Sequence, residues 1–544
     1  MDPVIEAFTA ADVRAAEQPL LARERAFAGG LMDHAAAALD VVVRRELRRR
    51  YGRVAGATVV ALVGPGNNGG DALHALARLA GHGVRAVAVA TSASVHAGGL
   101  AALTGAGGTV LGVVDEAPGE RVWLGEAAAE AFASDVLLDG LLGIGARGGL
   151  RGAAAELVGI LTDLLADREA PDRPFVVAVD VPSGIGVDDG TLPGPVLAAD
   201  RTVTFGVAKP ALLLPPAAHL AGQVDVVDLG LRPHLGDSRP GATRLTVADV
   251  GSLWPVPGPT DHKYTRGVVG VVAGSGTYPG AGILTVAGAL GAGCGMVRYA
   301  GPDRARQAVV AAHPEVVAGP STDVQVQAWV VGPGVADDDE QSGRARAAIA
   351  HALARSVPLV VDAGGLELLP RRLNPTVVLT PHAGELARLL AAHDVTVSRE
   401  DVTAEPVLWT IEAARRTGAT ILLKGHTTVV AGQGGLLAQA DAPAWLATAG
   451  AGDVLAGVLG ALLAGRSADA AADHRLVARL AAAAALVHGL AARRAGTGPV
   501  TASAVAAALP ATVATLVVGG STPARVRAHR RRLHTHHAPR WVVR

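Results

Sequence analysis

The sequence predicts an α/β protein of two domains, each a parallel sheet covered by helices on its two faces. Three observations carry that expectation. The chain has 544 residues, too many for one compact core. Half of it is apolar, with 69 glycines but only 3% aromatics, the composition of layers packed from Ala, Val, Leu and Gly. Short β-branched runs alternate with helical patterns along two long stretches, and continuous apolar strands of that kind belong to sheets buried on each side.

In order along the chain, residues 11–50 read as one long helical segment rich in Ala, Leu and Arg. Strands follow at 57–63, 84–90, 135–139, 175–180 and 201–205, with helical patterns such as "DALHALARLAGHG" and "LRGAAAELVGILTDLLAD" between them. Residues 229–267 are rich in Pro, Gly and polar residues and break this rhythm, which marks a boundary near 235–245. Alternation then resumes with strands at 268–274, 296–300, 328–332, 358–363, 376–380 and 420–424. The domains are expected at 1–238 and 239–518. The basic stretch 519–544 is expected to be a disordered, solvated tail, with His534, His536 and His537 as weak candidates for a metal.

Composition excludes several classes of function. A formal net charge of −1 gives no overall field to recruit nucleic acid or an anionic membrane. The single cysteine, Cys294, rules out a disulfide framework and fits a buried apolar position in a reducing compartment. The N-terminus lacks the basic and apolar regions of a signal peptide. No apolar run is expected to reach the roughly 18 residues of a membrane span. A cytoplasmic protein, without a nucleic-acid or membrane partner, is therefore expected.

Chemistry concentrates in loops at strand ends. "GPGNNGGD" follows a strand and opens a helix, so glycines bring the backbone close to a ligand and a helix terminus offers N–H groups. A plain turn with Asp71 as helix cap is the alternative. Asn67 and Asn68 add donors and acceptors that a turn does not need, and the spacing is not the GxGxxG of hydride-transfer enzymes. Asp139 in "LLDGLLGIGARGGLRG" and Asp180 in "VAVDVPSGIGVDDG" end two further strands, the latter three residues before Ser183. Such ends converge on one crevice, where carboxylates, an amide and a hydroxyl suit a hard cation as well as acid–base work.

In the second half, "LATAGAGDVLAGVLGALLAG" starts a helix at Gly450, Ala451, Gly452 and Asp453, an anion hole with a carboxylate beside it. Asp453 can take a proton from an attacking hydroxyl. "LLKGHTTVVAG" puts Lys424 at a strand end, with Thr427 and Thr428 on the following turn. "LTPHAGELARLL" puts His382 after a strand and Glu385 where capping and function fit equally.

Together, "GPGNNGGD", "DGLLGIGARGGLRG", "VAVDVPSGI" and "TFGVAKPALLLPPAAHLAGQVDVVDLGL" resemble the NAD(P)H-hydrate epimerase domain over residues 10–235. The resemblance implies a Rossmann-like three-layer αβα fold. It implies substrate contacts at Asn67, Asn68, Gly69, Gly70 and Asp71, and across the loop Gly143, Ile144, Gly145, Ala146, Arg147, Gly148 and Gly149. Asp180 takes a catalytic as well as a binding role, and Asn68, Asp139 and Ser183 form a potassium site. Residues 245–510, through "HKYTRGVVGVVAGSGTYPGAG", "VVGPGV", "VDAGGLELL", "LTPHAGE", "LLKGHTTVV", "AGAGDVLAG" and "AAALVHGLAA", resemble the ADP/ATP-dependent NAD(P)H-hydrate dehydratase, a ribokinase-like αβα fold. That implies hydrate contacts at Ala281, Gly334, His382 and the catalytic Asp453. Adenine-nucleotide contacts fall at Lys424, Gly425, His426, Thr427, Thr428 and Gly452, with Mg2+ accompanying ADP or ATP.

Four departures stand out. "LMDHAAAAL" lacks the family's usual acidic or Gln residue followed by Ala-Gly. Ala72 replaces a Gly, Ala451 a Thr and Gly364 an Asp. The resemblance implies a bifunctional repair enzyme acting on hydrated NADH and NADPH, expected as a homo-oligomer. One alternative is a ribokinase-like hydroxyl kinase fused to a Rossmann-like regulatory domain, and another is a non-catalytic nucleotide sensor.

Overall fold

The structure, a computed structural model, describes residues 4–24, 30–166, 173–335 and 339–520. The basic tail with its three histidines lies outside the described residues. The chain forms two compact units, residues 6–241 and a second of residues 242–520 together with residues 4–5.

In the first unit the strands lie in the order Glu120–Arg121, Thr109–Gly112, Arg85–Ala90, Thr58–Val63, Val136–Gly140, Phe175–Val179, Arg201–Phe205 and Gln223–Val227, all parallel. Alternation along Thr58–Val63 explains why the run is wholly apolar. Val59, Ala61 and Val63 pack with Leu39, Leu73 and Leu76 on one face, while Val60 and Leu62 pack with Leu157 and Leu161 on the other. The expected three-layer arrangement is thus present. Strand order reverses between Thr58–Val63 and Val136–Gly140, where Leu62 lies beside Asp139. A crevice opens at such a reversal, outside the carboxyl ends of the strands.

The long segment 11–50 is not one helix but two, Ala10–Glu24 and Leu31–Tyr51, the second entered through an extended Gly30. Two short strands, Thr109–Gly112 and Glu120–Arg121, escaped the periodicity because they are too short to show a pattern, and Gln223–Val227 because an edge strand lacks a continuous apolar run.

The second unit's sheet runs Ala242–Arg244, Gly435–Gln439, Thr428–Gly432, Thr420–Leu423, Val377–Leu379, Leu359–Val361, Ala328–Val331, Val268–Val272, Met296–Ala300 and Val317–Gly319. It is parallel except for the hairpin pairs on either side of Thr428–Gly432. Thr428 therefore begins a strand rather than sitting on a turn. The helices Pro279–Gly291, Ala451–Gly465, Arg475–Ala495 and Ala502–Gly520 contribute to the core on one face with Val269, Val330, Val360 and Leu422. On the opposite face Trp329 Nε1 donates to His351 Nδ1 of the helix Asp339–Arg355 at 3.1 Å.

The helix Arg475–Ala495 corrects one expectation. It is long and apolar enough to cross a membrane. Its apolar side chains, among them Val477, Leu480, Leu486 and Val487, are instead buried in the core of the second unit. Cys294 is buried as expected, and burial pushes its thiol up to about 12.

Candidate active sites

The opening loop of the first unit is tighter than a free turn. The helix Asn67–Ala80 begins at the asparagines themselves, capped by Gly66, so Asp71 lies one turn inside rather than at the cap. A Cβ on Gly64 would fall 1.9 Å from the Leu141 carbonyl oxygen, and one on Gly69 2.3 Å from the Gly64 carbonyl oxygen. Only glycine permits this approach, which draws the helix start onto the end of the neighbouring strand. The methyl of Ala72 is buried against Gly140, 2.7 Å from where that glycine's Cβ would stand. Ala72 therefore fills space behind the loop and leaves the helix terminus open.

Asn68, Asp139 and Ser183 meet around Leu142. Asn68 Nδ2 donates to the Leu142 carbonyl at 3.1 Å, while the Leu142 amide donates to Ser183 Oγ at 2.9 Å. The Ser183 amide donates to Asp139 Oδ2 at 2.8 Å. Asp139 is 1% exposed, and burial raises its pKa against the hydrogen bonds from Ser183 and Leu141 that lower it. A buried carboxyl with neutral partners, an amide side chain, a hydroxyl and a backbone carbonyl form a set of hard oxygen donors that fits a monovalent cation.

Asp180 ends its strand in the left-handed region, at φ 65°. Its Oδ1 accepts from Lys209 Nζ at 2.5 Å, Thr204 Oγ1 at 3.1 Å and the Phe205 amide at 3.2 Å. Lys209 is 1% exposed, and its remaining donors reach Thr204 Oγ1 and the Phe205 carbonyl. Two further carboxyls share this field. Asp71 is held well above the usual carboxylate range by burial, then by the charges of Asp180 and Glu17, against Lys209. Glu17 is raised by burial and Asp180, against Lys209 and Arg14. Arg14, one turn before Glu17, donates to the Ile144 carbonyl at 3.0 Å and ties the helix Ala10–Glu24 to the loop 143–149. In that loop Gly145, Arg147 and Gly148 are exposed, while Gly143, Ile144, Ala146 and Gly149 are half-buried.

Sequence reasoning missed Lys209 and Glu17. A lone lysine inside the apolar run "FGVAKPALLL" was the available signal for the first. Nothing local singles out Glu17, because a glutamate on a helix is most often solvated.

In the second unit Gly450, left-handed at φ 84°, starts the helix Ala451–Gly465 without a side-chain cap. The side chain that Ala451 lacks relative to Thr leaves this backbone start in place. Over it lies a charged cluster. Lys424 Nζ donates to Asp362 Oδ1 at 2.6 Å and stands 3.7 Å from Glu385 Oε2. A Cβ on Gly452 would come 3.4 Å from Lys424 Nζ and 3.7 Å from Asp362 Oδ2. Asp453 is pushed up to about 7 by burial and by the Asp362 charge, against Lys424. Burial, the largest influence on Lys424, disfavours its ammonium, but Asp362, Glu385 and Asp453 outweigh it and raise its pKa.

His382 caps the helix Ala383–Ala391. Its Nδ1 accepts from the Gly384 and Glu385 amides at 3.1 and 3.3 Å, and Glu385 returns a bond to the His382 amide at 2.8 Å. Glu385 thus caps the helix and faces Lys424 at once. The Lys424 amide donates to the Pro381 carbonyl at 2.8 Å, which sets His382 and Lys424 side by side. Ala281 and Gly334 touch: a Cβ on Gly334, at φ +63°, would fall 2.4 Å from the Ala281 methyl. Gly425 and His426 are exposed, Thr427 is buried and Thr428 half-buried. Asp362 is the residue the sequence reading passed over, although it ends a strand just as Asp139 and Asp180 do.

Gly364, in place of the family's Asp, has no room for a side chain. The Val335 carbonyl oxygen lies 2.0 Å from where its Cβ would stand. Among the described residues no group of three or more His, Cys, Asp or Glu is arranged to hold a metal.

Residues 28–211 match the family described as YjeF-related protein N-terminus, and residues 269–513 match NAD(P)H-hydrate dehydratase. The bifunctional NAD(P)H-hydrate repair enzyme Nnr of Mycobacterium tuberculosis (strain CDC 1551 / Oshkosh) is 43% identical over 462 residues, covering 83% of this chain and 88% of its own. The enzyme of that name from Escherichia coli (strain K12) is 33% identical over 424 residues, 74% of this chain and 75% of its own. The NAD(P)H-hydrate epimerase of Clavibacter sepedonicus is 44% identical over 232 residues, 42% of this chain and 92% of its own. A solved structure of the ADP/ATP-dependent NAD(P)H-hydrate dehydratase from Bacillus subtilis, co-crystallized with ATP/Mg2+, is 26% identical and covers 50% of this chain and 97% of its own, at a TM-score of 0.43. With an epimerase half and a dehydratase half in one α/β chain, the protein belongs to the family of bifunctional NAD(P)H-hydrate repair enzymes.

Proposed function

We propose that the second unit phosphorylates the hydroxyl of the S form of hydrated NADH or NADPH, using ADP or ATP with Mg2+, and that the first unit converts the R form into the S form. The observation that carries this is the cluster at the start of Ala451–Gly465, where a carboxyl near neutral pKa and an ammonium flank an uncapped helix terminus. Asp453 takes the hydroxyl proton as the terminal phosphoryl group of the nucleotide transfers to that oxygen. Lys424 offers the phosphates a point charge, as do the backbone N–H groups at Gly452. The new phosphoester then leaves as phosphate, a far better leaving group than hydroxide, and loss of a proton from the adjacent ring carbon restores the double bond. The loop Lys424–Thr428 holds the nucleotide, and Ala281, Gly334 and His382 line the hydrate.

In the first unit the hydroxyl-bearing carbon is bonded to the ring nitrogen, whose lone pair expels a protonated hydroxyl as water. The flat intermediate can take water back on either face. Asp71, whose carboxyl is raised well above the usual range by burial, supplies the proton, and Asp180, fixed by Lys209, receives the proton of the returning water. Asn67 to Asp71 and the loop 143–149 hold the dinucleotide. Asn68, Asp139 and Ser183 would hold a potassium ion, whose charge would offset that of the buried Asp139 carboxylate.

A cytoplasmic location belongs to this proposal, because the hydrates form where reduced nicotinamide cofactors are held. So does a homo-oligomeric assembly.

Incubation of purified protein with S-hydrate, ADP and Mg2+ tests the dehydratase half. Absorbance of reduced nicotinamide is expected to return without a phosphoester accumulating; an accumulating phosphoester would identify a kinase instead. Removing potassium is expected to slow epimerisation, and an unchanged rate would take the cation out of this account.

A further inference from the structure

Asp362 lies at the centre of the second site, 2% exposed, at the carboxyl end of the strand Leu359–Val361. Its Oδ1 accepts from two side chains, Thr380 Oγ1 at 2.9 Å and Lys424 Nζ at 2.6 Å. Thr380 is itself 1% exposed and follows the neighbouring strand Val377–Leu379, so the carboxylate is anchored from beneath. Its other oxygen faces Gly452. A long, flexible ammonium side chain would otherwise sample many rotamers, and fixing it costs conformational entropy. Here it is fixed in advance by a carboxylate that is itself fixed.

We propose that Asp362 is a positioning residue of the dehydratase reaction: it holds the Lys424 ammonium over Gly452, at the helix start that would receive the transferring phosphoryl group. This deepens the proposed function and rests on it.

Three groups face Lys424: Asp362 and Asp453, and Glu385 of the helix Ala383–Ala391 at 3.7 Å. His382 stands behind Glu385, its Nε2 3.5 Å from Glu385 Oε1. From the helix Arg475–Ala495, His488 reaches the Ala451 backbone, and burial lowers it to about 4, so it stays neutral near neutral pH. Asp453 therefore feels one added negative charge from Asp362 and one positive charge from Lys424. Glu385 stands farther from Lys424 and is engaged by the His382 amide, so it cannot replace Asp362 as the anchor.

The test is Asp362→Asn in the full-length chain, with Thr380→Val as a second variant that loosens the carboxylate without removing it. For Asp362→Asn, kcat for S-hydrate is expected to fall about a hundredfold, the size of loss that a misplacement of about 1 Å brings. The rising acid limb of its pH profile is expected to move to lower pH by about one unit, because a like charge beside Asp453 is gone. Thr380→Val is expected to lower kcat in the same direction but less, with the acid limb in place. Epimerisation by the same preparations is expected to be unchanged. If Asp362→Asn fails to fold, Thr380→Val decides alone. A kcat within about threefold of wild type, or an acid limb that does not move in a folded Asp362→Asn, overturns the role of Asp362. A wild-type protein that does not dehydrate S-hydrate overturns the proposed function instead, so the two failures are distinct.

Discussion

A carboxyl that must accept a proton from an alcohol works best when its own pKa lies near that of the medium. Asp453, raised to about 7, meets that condition. The direction of its pH dependence follows directly. Below about pH 7 it is protonated and cannot accept, so kcat/KM for S-hydrate is expected to rise as pH rises through about 7 and then level. Asp453→Asn is expected to abolish the rise and lower the rate by roughly 10²- to 10⁴-fold. Epimerisation by that variant should be untouched, and near-normal dehydration would show that Asp453 is not the base. In the first unit Lys209→Met leaves Asp180 buried beside a hydrocarbon chain. Breaking such a pair costs about 3–5 kcal/mol, so denaturant unfolding of the first unit is expected at clearly lower concentration, with epimerisation lost. A variant of unchanged stability would show that the ion pair is dispensable.

At the scale of elements, the strand-end loops were legible because their residues conflict with plain turn formation. Two asparagines after a strand, or Gly-Ala-Gly-Asp before an apolar helix, demand a reason beyond chain reversal. The central strands were legible for the opposite reason, since burial on each face leaves uninterrupted β-branched runs. What could not be read was long-range. Lys209 and Glu17 gain significance only when folding brings them to Asp180 from 29 residues downstream and from the first helix. Asp362 gains it only beside Lys424, 62 residues on. The hairpin beyond Lys424 was hidden because Thr427 and Thr428 read as a turn after the strand, and the break between the first two helices by helical periodicity that continues on either side of it. Gly364 stands out in the sequence as a departure from the family's Asp, and the structure gives it a packing reason, because the Val335 carbonyl closes against it. Restoring the family's residue with Gly364→Asp is therefore expected to destabilise the second unit by about 1–3 kcal/mol or more, the range for overpacking, rather than to quicken dehydration. A faster enzyme with an unchanged melting temperature would show that the loop yields easily.

For the whole molecule, the two sites make sense as one device only if each acts on a different form of the same compound. A kinase with a regulatory partner would need no second acid–base site. The first unit nevertheless carries a buried lysine–carboxylate pair, a carboxyl that burial holds well above the usual range and a candidate cation site. The most direct test supplies mixed R and S hydrates with ADP, Mg2+ and potassium, and follows reduced-nicotinamide absorbance for wild type and Asn68→Ala. Wild type is expected to convert the whole pool in a single fast phase. Asn68→Ala, with its fold and second unit intact, is expected to convert about half at the same rate, while the remainder waits on slow spontaneous epimerisation. One fast phase consuming the whole pool in the variant would contradict the account, because the asparagine at the mouth of the first strand would then be structural and the loop it opens would not hold the dinucleotide and its cation.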